Sequence, residues 1–377
     1  MTRRERLMAS LRGEPVDRPP VSFYEIDGSQ DTQDTDPFNI YSDPSWHPLI
    51  ELARAETDRI VRRHVAFIDP PQSPLNNLRK TEITEDNQGS QFSTTTYQTP
   101  RRTFVSRTRR DRDVNTVWTI EHLLKDRDDL RAWLELPEDA LGGTPNVATI
   151  REVEKNLGDA GIAMIDTGDP LCRAASMFDM GQFTVVALTE PALFHRLLER
   201  FARVMLWQTE IIARALPGRL WRIVGPEHAS PPYLSPSLFK EYVVPYDQPL
   251  VDSIQKYGGF ARIHSHGRLK DVLEHIAATG CLALDPIEPP PQGDVELAYV
   301  REKVGRQMTL FGNLEASDIE NLPTPQFEKK IVKAIREGTT GPGRGFVLMP
   351  SACPYGRLLP PLALANYEKM VEIVHAG

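Results

Sequence analysis

His264, His266 and Cys353 carry the side chains that suit a zinc ion, because imidazole nitrogen and thiolate sulfur are the ligands Zn²⁺ prefers. The two histidines are one residue apart, in His264-Ser265-His266-Gly267. Residues two apart on an extended chain point to the same face, so both rings can address one ion. Cys353 stands in Ser351-Ala352-Cys353-Pro354, far along the chain. Each group follows a short apolar run, Phe260-Ala261-Arg262-Ile263 in one case and Phe346-Val347-Leu348-Met349 in the other. If those runs are neighbouring strands, the three side chains meet at their tips. A lone histidine is usually a hydrogen-bonded structural group, and a lone cysteine a small buried hydrophobe. The combination is what points to a metal. Glu227 is a fourth candidate, as a ligand that yields its place to substrate or as a cap on its own turn. Asp285 either orients a histidine ring or acts as a general base.

The elements that must position these groups alternate from about residue 145 onward. Helical patterns at 147–157, 191–216, 236–257, 269–279, 295–304 and 325–337 each precede a short apolar run, at 162–166, 220–224, 260–263, 281–285, 308–311 and 345–349. A helix at 362–376 closes the chain. Such alternation implies parallel strands joined by right-handed crossovers. With a helix at 4–11, a strand at 21–26, a loop at 29–45 and a helix at 46–65, the pattern predicts a (β/α)8 TIM barrel. It forms a single body over residues 1–377, with an N-terminal extension and a β-hairpin insertion at 80–120. A doubly wound sheet would bring a glycine-rich turn after an early strand, whereas Gly341-Pro342-Gly343-Arg344-Gly345 precedes a strand. In a barrel the functional groups gather at the C-terminal strand tips. Those tips hold Asp166, Asp169, Glu227, His228, His264, His266, Asp285, Asn313, Ser351 and Cys353.

Bulk properties bound the alternatives. The 377 residues are 40% hydrophobic and 25% charged, which is ordinary for a soluble globular chain. A net charge of -8 gives no bulk electrostatic reason to bind nucleic acid. A local cluster, Arg101, Arg102, Arg107, Arg109, Arg110 and Arg112, reads as a solvated hairpin face or an anion- or partner-binding loop. Cys172, Cys281 and Cys353 make no disulfide framework, and the charged start lacks an apolar leader core, so a cytoplasmic setting is expected. No apolar stretch approaches the ~20 residues needed to span a membrane.

Several segments resemble the uroporphyrinogen decarboxylase superfamily, a (β/α)8 family that includes cobalamin-dependent methyltransferases. They are Arg3-Arg4-Glu5-Arg6 with Leu11-Arg12-Gly13-Glu14-Pro15-Val16-Asp17-Arg18-Pro19-Pro20, and Leu234-Ser235-Pro236 with Phe239-Lys240-Glu241-Tyr242-Val243-Val244-Pro245-Tyr246. Phe311-Gly312-Asn313-Leu314 and Asn366-Tyr367-Glu368-Lys369-Met370-Val371 complete the set. True uroporphyrinogen decarboxylases carry an Arg-Gln-Ala-Gly-Arg-Tyr motif that holds substrate carboxylates. The equivalent Val21-Ser22-Phe23-Tyr24-Glu25-Ile26-Asp27-Gly28 lacks the arginines, which argues against a polycarboxylate substrate. The branch resembling methylcobalamin:coenzyme M methyltransferase binds zinc through His-x-Cys and a distant Cys. Here His264-x-His266 and Cys353 stand at those places, with His266 replacing a cysteine and lowering the negative charge of the site. Corrinoid-dependent O-demethylases of the superfamily use glutamate and histidine, which brings in Glu227.

The resemblance implies a zinc-dependent methyltransferase that moves a methyl group between a small molecule and a corrinoid such as methylcobalamin. Zinc would be held by His264, His266, Cys353 and Glu227, with Glu227 and Asp285 catalytic and Tyr24, Asp169, Tyr233 and Asn313 lining the substrate site. The Asp-x-His-x-x-Gly signature of corrinoid proteins is absent, so the corrinoid is expected on a partner protein. The rival readings are a metal-independent decarboxylase or other lyase acting on a small carboxylated substrate, and a non-catalytic binding protein that kept the barrel.

Overall fold

The computed structural model describes residues 1–341 and 343–376. Its centre is a curled parallel sheet of seven strands. In spatial and sequence order these are β1 Arg59–Arg63, β2 Gly161–Gly168, β3 Leu220–Val224, β4 Phe260–Ser265, β5 Ala283–Pro286, β6 Thr309–Leu314 and β7 Gly345–Pro350. The two edges meet through a short extended segment. Ser22 N–H donates to Leu348 of β7 (3.0 Å), Leu348 N–H donates to Pro20 (2.9 Å), and Asp58 N–H, just before β1, donates to Val21 (2.7 Å). The 21–26 run expected as a strand therefore supplies a bridge at Val21 alone. The barrel comprises seven strands and this bridge.

The strands read as near-continuous apolar runs because both faces are covered. Ile165, Trp221, Ile223, Ile263, Leu284, Leu310 and Leu348 point outward and pack in the large core under the helices. Ile60, Ile162, Met164, Leu220, Phe260, Ala283, Phe311, Val347 and Met349 fill the interior as a separate cluster. Continuing the inward-facing alternation toward the strand tips replaces these apolar groups by Arg62, Asp166, Arg222, Arg262, His264 and Asp285. The register puts Asp166 beside Arg222, Arg222 beside Arg262, and His264 beside Asp285. A polar layer thus sits on an apolar floor inside the barrel.

Three local expectations are corrected. Residues 46–65 form a helix only over His47–Glu56, and the Arg-Ile-Val-Arg-Arg that follows is β1. The 236–257 helix is two helices, Pro236–Tyr242 and Val244–Lys256, because Pro245 has no N–H to continue the first ladder. The helices Arg127–Leu134, Pro170–Ala175 and Met180–Thr189 had no clear sequence signal. The 80–120 region does form antiparallel ribbons, a four-stranded sheet of Arg79–Glu85, Gln91–Gln98, Thr103–Arg110 and Val117–Glu121. Phe104 anchors it edge-on to Trp133 of the body. Most of its arginines are paired, Arg109 with Asp111, Arg110 with Asp36 and Arg112 with Glu85, as on a solvated face. Among the described residues no helix is long and apolar enough to cross a membrane.

The N-terminal signature folds against the barrel through one buried acid. The opening helix, Arg3–Arg12, has a Thr2/Glu5 capping box and ends at Gly13, whose φ of 74° lies in the left-handed region. Asp58 is fully buried and accepts from Arg6 (2.6 Å), Arg18 (2.8 Å) and the Val21 N–H (2.9 Å). Removing that carboxylate leaves Arg6 paired with Asp17 but deprives Arg18 of its ion pair and the Val21 N–H of its acceptor. Asp58→Ala is therefore expected to lose about 2–3 kcal/mol of stability in urea unfolding. A loss below ~1 kcal/mol would show that Asp58 does not tie the extension to the barrel.

Candidate active site

Two histidine–carboxylate pairs stand at the tip of β4. His264 Nδ1 lies 2.8 Å from Asp285 Oδ2, and His266 Nδ1 lies 2.8 Å from Glu288 Oε1. The rings meet edge to face with centroids 4.6 Å apart. Because each Nδ1 faces a carboxylate, the bonding pattern assigns it the proton and leaves Nε2 with a lone pair. On the His264 side the network agrees. Arg222 Nη1 donates to the Tyr24 hydroxyl, leaving the Tyr24 proton free for His264 Nε2 at 3.5 Å. The Tyr24 ring also stacks on His264, with centroids 5.7 Å apart and planes 11° apart.

The interior charges hold these groups. Asp166 takes Arg222 bidentately, at 2.7 and 3.0 Å. Asp285 is fully buried; burial alone would raise its pKa, but Arg262 and His264 outweigh burial and hold it at about 2. Asp285 is accordingly an anion that orients His264, which is one of its two expected roles, and not a base near neutrality. Burial pulls His266 down, yet the Glu288 hydrogen bond and charge leave it raised above its ordinary value, while Glu288 is lowered despite its own burial.

A cavity of about 260 Å³ lies inside the barrel beside this network. Ile60, Met164 and Met349 form its apolar floor, and Tyr24, Glu25, Asp27, Arg62, Arg63, Arg222 and Arg262 its polar walls. Glu25 is a non-glycine residue at φ 62°, a strained conformation of the kind that concentrates at functional sites. Arg62 holds it at 2.6 Å, and the Cys353 thiol donates to it at 3.5 Å.

The residues singled out in the sequence are only partly gathered here. Tyr24 lines the cavity and touches His264. Cys353 turns to Glu25, and burial pushes its thiol pKa up, so it is held as a thiol. Glu227 accepts from the N–H of Gly225 at 3.0 Å and so caps its own turn. Gly225 is required there, since a Cβ would lie 1.9 Å from Asp169 Oδ1. His264 and His266 each have a carboxylate behind Nδ1, the backing that metal-ligating histidines carry. The expected four-residue zinc set is not assembled, for among the described residues no three His, Cys, Asp or Glu side chains are gathered to hold an ion. Asp169 is fully buried and faces Asp247; burial raises Asp247 to about 8 and also raises Asp169, so the pair keeps a proton instead of lining the substrate site. Tyr233 is half exposed on its loop, and Asn313 borders a separate cavity of about 150 Å³.

Sequence reasoning missed Arg62, Arg222, Arg262, Glu25 and Glu288. The signal for Arg222 and Arg262 was present: an arginine inside an apolar run, as in Leu220-Trp221-Arg222-Ile223-Val224 and Ala261-Arg262-Ile263, marks a strand whose inner face turns polar.

A β/α barrel with a carboxylate-backed histidine pair at its strand tips is the architecture of an enzyme. The family model for uroporphyrinogen decarboxylase (URO-D) matches residues 118–377, more than half of the chain, and the chain belongs to that family. A methyltransferase from Methanosarcina mazei has a similar structure, at 16% identity and TM-score 0.61, with all of both chains covered. A B12-independent methionine synthase from a Shewanella species is more distant, at 9% identity and TM-score 0.43, covering 64% of this chain and 70% of that one. No curated protein matches.

The His266–Glu288 pair sets a pH dependence. Stability from a raised histidine is full below 6.5 and is lost as pH rises through its higher folded value; stability from a lowered glutamate is full above 4.5 and is lost as pH falls. The pair therefore contributes most between those values. In metal-free protein the NMR titration of His266 is expected to have its midpoint above 6.5 and to fall in Glu288→Gln. An unchanged midpoint in that variant would show that Glu288 does not set it.

Proposed function

We propose that this chain is a methyltransferase of the uroporphyrinogen decarboxylase family, transferring a methyl group between a small molecule and a corrinoid carried by a partner protein, with zinc at the histidine pair. The observation that carries the reading is the pair itself. Asp285 and Glu288 fix both rings at Nδ1, and both belong to the tip of one strand beside a cavity. Backing of this kind, with Nε2 left for an ion, is how metal-ligating histidines are held. The similarity in fold to a methyltransferase over the whole chain supports the same class.

Zinc bound there would polarise the heteroatom that gives or receives the methyl group. The remaining chemistry belongs to the chain's own residues. Tyr24 occupies the His264 lone pair until a ligand replaces it. Arg222, fixed by Asp166, holds the Tyr24 hydroxyl in place. At about 260 Å³ the cavity falls just below the roughly 300–1,000 Å³ typical of small-molecule sites, so it suits a compact substrate better than a polycarboxylate tetrapyrrole. A metal-independent decarboxylase is the second reading, favoured by the guanidinium groups in the cavity wall.

Metal analysis and a methylation assay separate the two. Purified protein is expected to hold equimolar zinc, and His264→Ala and His266→Ala to lose most of it. Methylation of free cobalamin, followed by its visible spectrum, is expected to fall at least a hundredfold in both variants. A zinc-free preparation with full activity, or decarboxylation without methyl transfer, would refute the zinc-dependent reading. Zinc is expected to be unchanged in Cys353→Ala, because the thiol turns to Glu25, and its loss would return Cys353 to the ligand set.

A further inference from the structure

We propose that Arg262 is the anchor for an anionic group of the substrate, and that the small molecule handled here is a compact monoanion of the carboxylate type; this rests on the reading of the barrel cavity as the substrate site. Arg262 is 1% exposed and borders the cavity, yet its Nε and Nη1 find no hydrogen-bond acceptor. Its nearest carboxylate, Asp285, has Oδ1 3.0 Å from Nε, but the two are misaligned and Oδ1 also counts as unpartnered. The other Asp285 oxygen is taken by His264. Buried donors of this kind are rare in folded proteins and call for an acceptor.

The neighbouring arginines differ. Arg222 is closed off by two bonds from Asp166, Arg62 by Glu25, and Arg63 donates to the Arg62 carbonyl at 2.7 Å. Arg222 stands in register with Arg262, but its charge is already balanced by Asp166. The Phe311 ring covers one face of the Arg262 guanidinium at 4.7 Å, leaving recognition to the planar edge. With Nε facing Asp285, a carboxylate matches the remaining Nη1–Nη2 edge with two parallel hydrogen bonds. Glu25 and Asp27 in the same wall already face Arg62 and Arg63, so Arg262 is left to receive a single anionic group.

The strand sets the ligand's reach. Arg262 precedes His264 by two residues on β4, a rise of about 7 Å toward the barrel mouth. An anion on Arg262 therefore places the opposite end of a compact molecule near Tyr24 and His264, with its body on Ile60, Met164 and Met349.

Benzoate and its neutral counterpart benzamide test this by calorimetry, and a crystal soaked in 4-bromobenzoate locates the ligand by bromine anomalous scattering. Benzoate is expected to bind at least tenfold tighter than benzamide, Arg262→Gln to abolish that preference, and the soak to show the carboxylate on Arg262. Equal affinity for both probes, no binding of benzoate, a preference that survives Arg262→Gln, or bromine outside the cavity would each overturn the proposal. If Arg262→Gln does not fold, the soak of the wild-type protein decides. The outcomes separate this inference from the reaction: benzoate on Arg262 without methyl transfer upholds the anchor and removes the methyltransferase reading, whereas methyl transfer without an anion preference does the reverse.

Discussion

Asp285 is fully buried between Arg262 and His264, and the geometry of the site follows from how that one charge is shared. A carboxylate at this depth is tolerated only if cations neutralise it. Arg262 approaches one oxygen and His264 takes the other, which fixes the His264 ring and directs Nε2 toward Tyr24. The same sharing leaves Arg262 short of acceptors. Orientation of the histidine and the unsatisfied guanidinium are therefore two consequences of one buried anion.

The fold supplies that anion by simple alternation. The first five barrel strands each turn an apolar residue into the interior near the start and an ionisable one near the tip, as in Leu220 and Arg222 or Ala283 and Asp285. The sheet register then sets Asp166 against Arg222 and the His264 ring against Asp285. At the opposite end Asp58 does an equivalent job for the N-terminal segment, binding Arg6, Arg18 and the Val21 N–H where the sheet edges meet. The Asp17-Arg18-Pro19-Pro20 signature is thus explained by barrel closure, apart from any part in the reaction.

Much of the barrel was legible in the sequence because its strands are buried on both faces and its helices alternate with them. β1 was not, since Arg-Ile-Val-Arg-Arg follows a helix directly and carries charge on the face that turns inward. The rim of polar strand tips was legible for the same reason as the strands. Which tips converge was not, because that depends on loops: the turn after β7 carries Cys353 to Glu25, and the Gly225 turn folds Glu227 back on its own backbone. His264 and His266 came together as expected since they share a strand, where spacing alone fixes the face. Glu288 came from a loop beyond β5 and had no periodicity to announce it.

The direct test of this account is the protonation site of the neutral His264 ring, read by nitrogen-15 NMR of histidine-labelled, metal-free protein at a pH where imidazoles are uncharged. The Asp285 contact requires the proton on Nδ1 and the lone pair on Nε2, with the signal assigned by its loss in His264→Gln. A proton on Nε2, or rapid exchange between the two nitrogens, would mean that Asp285 does not orient this ring, and the proposed site would lose its foundation.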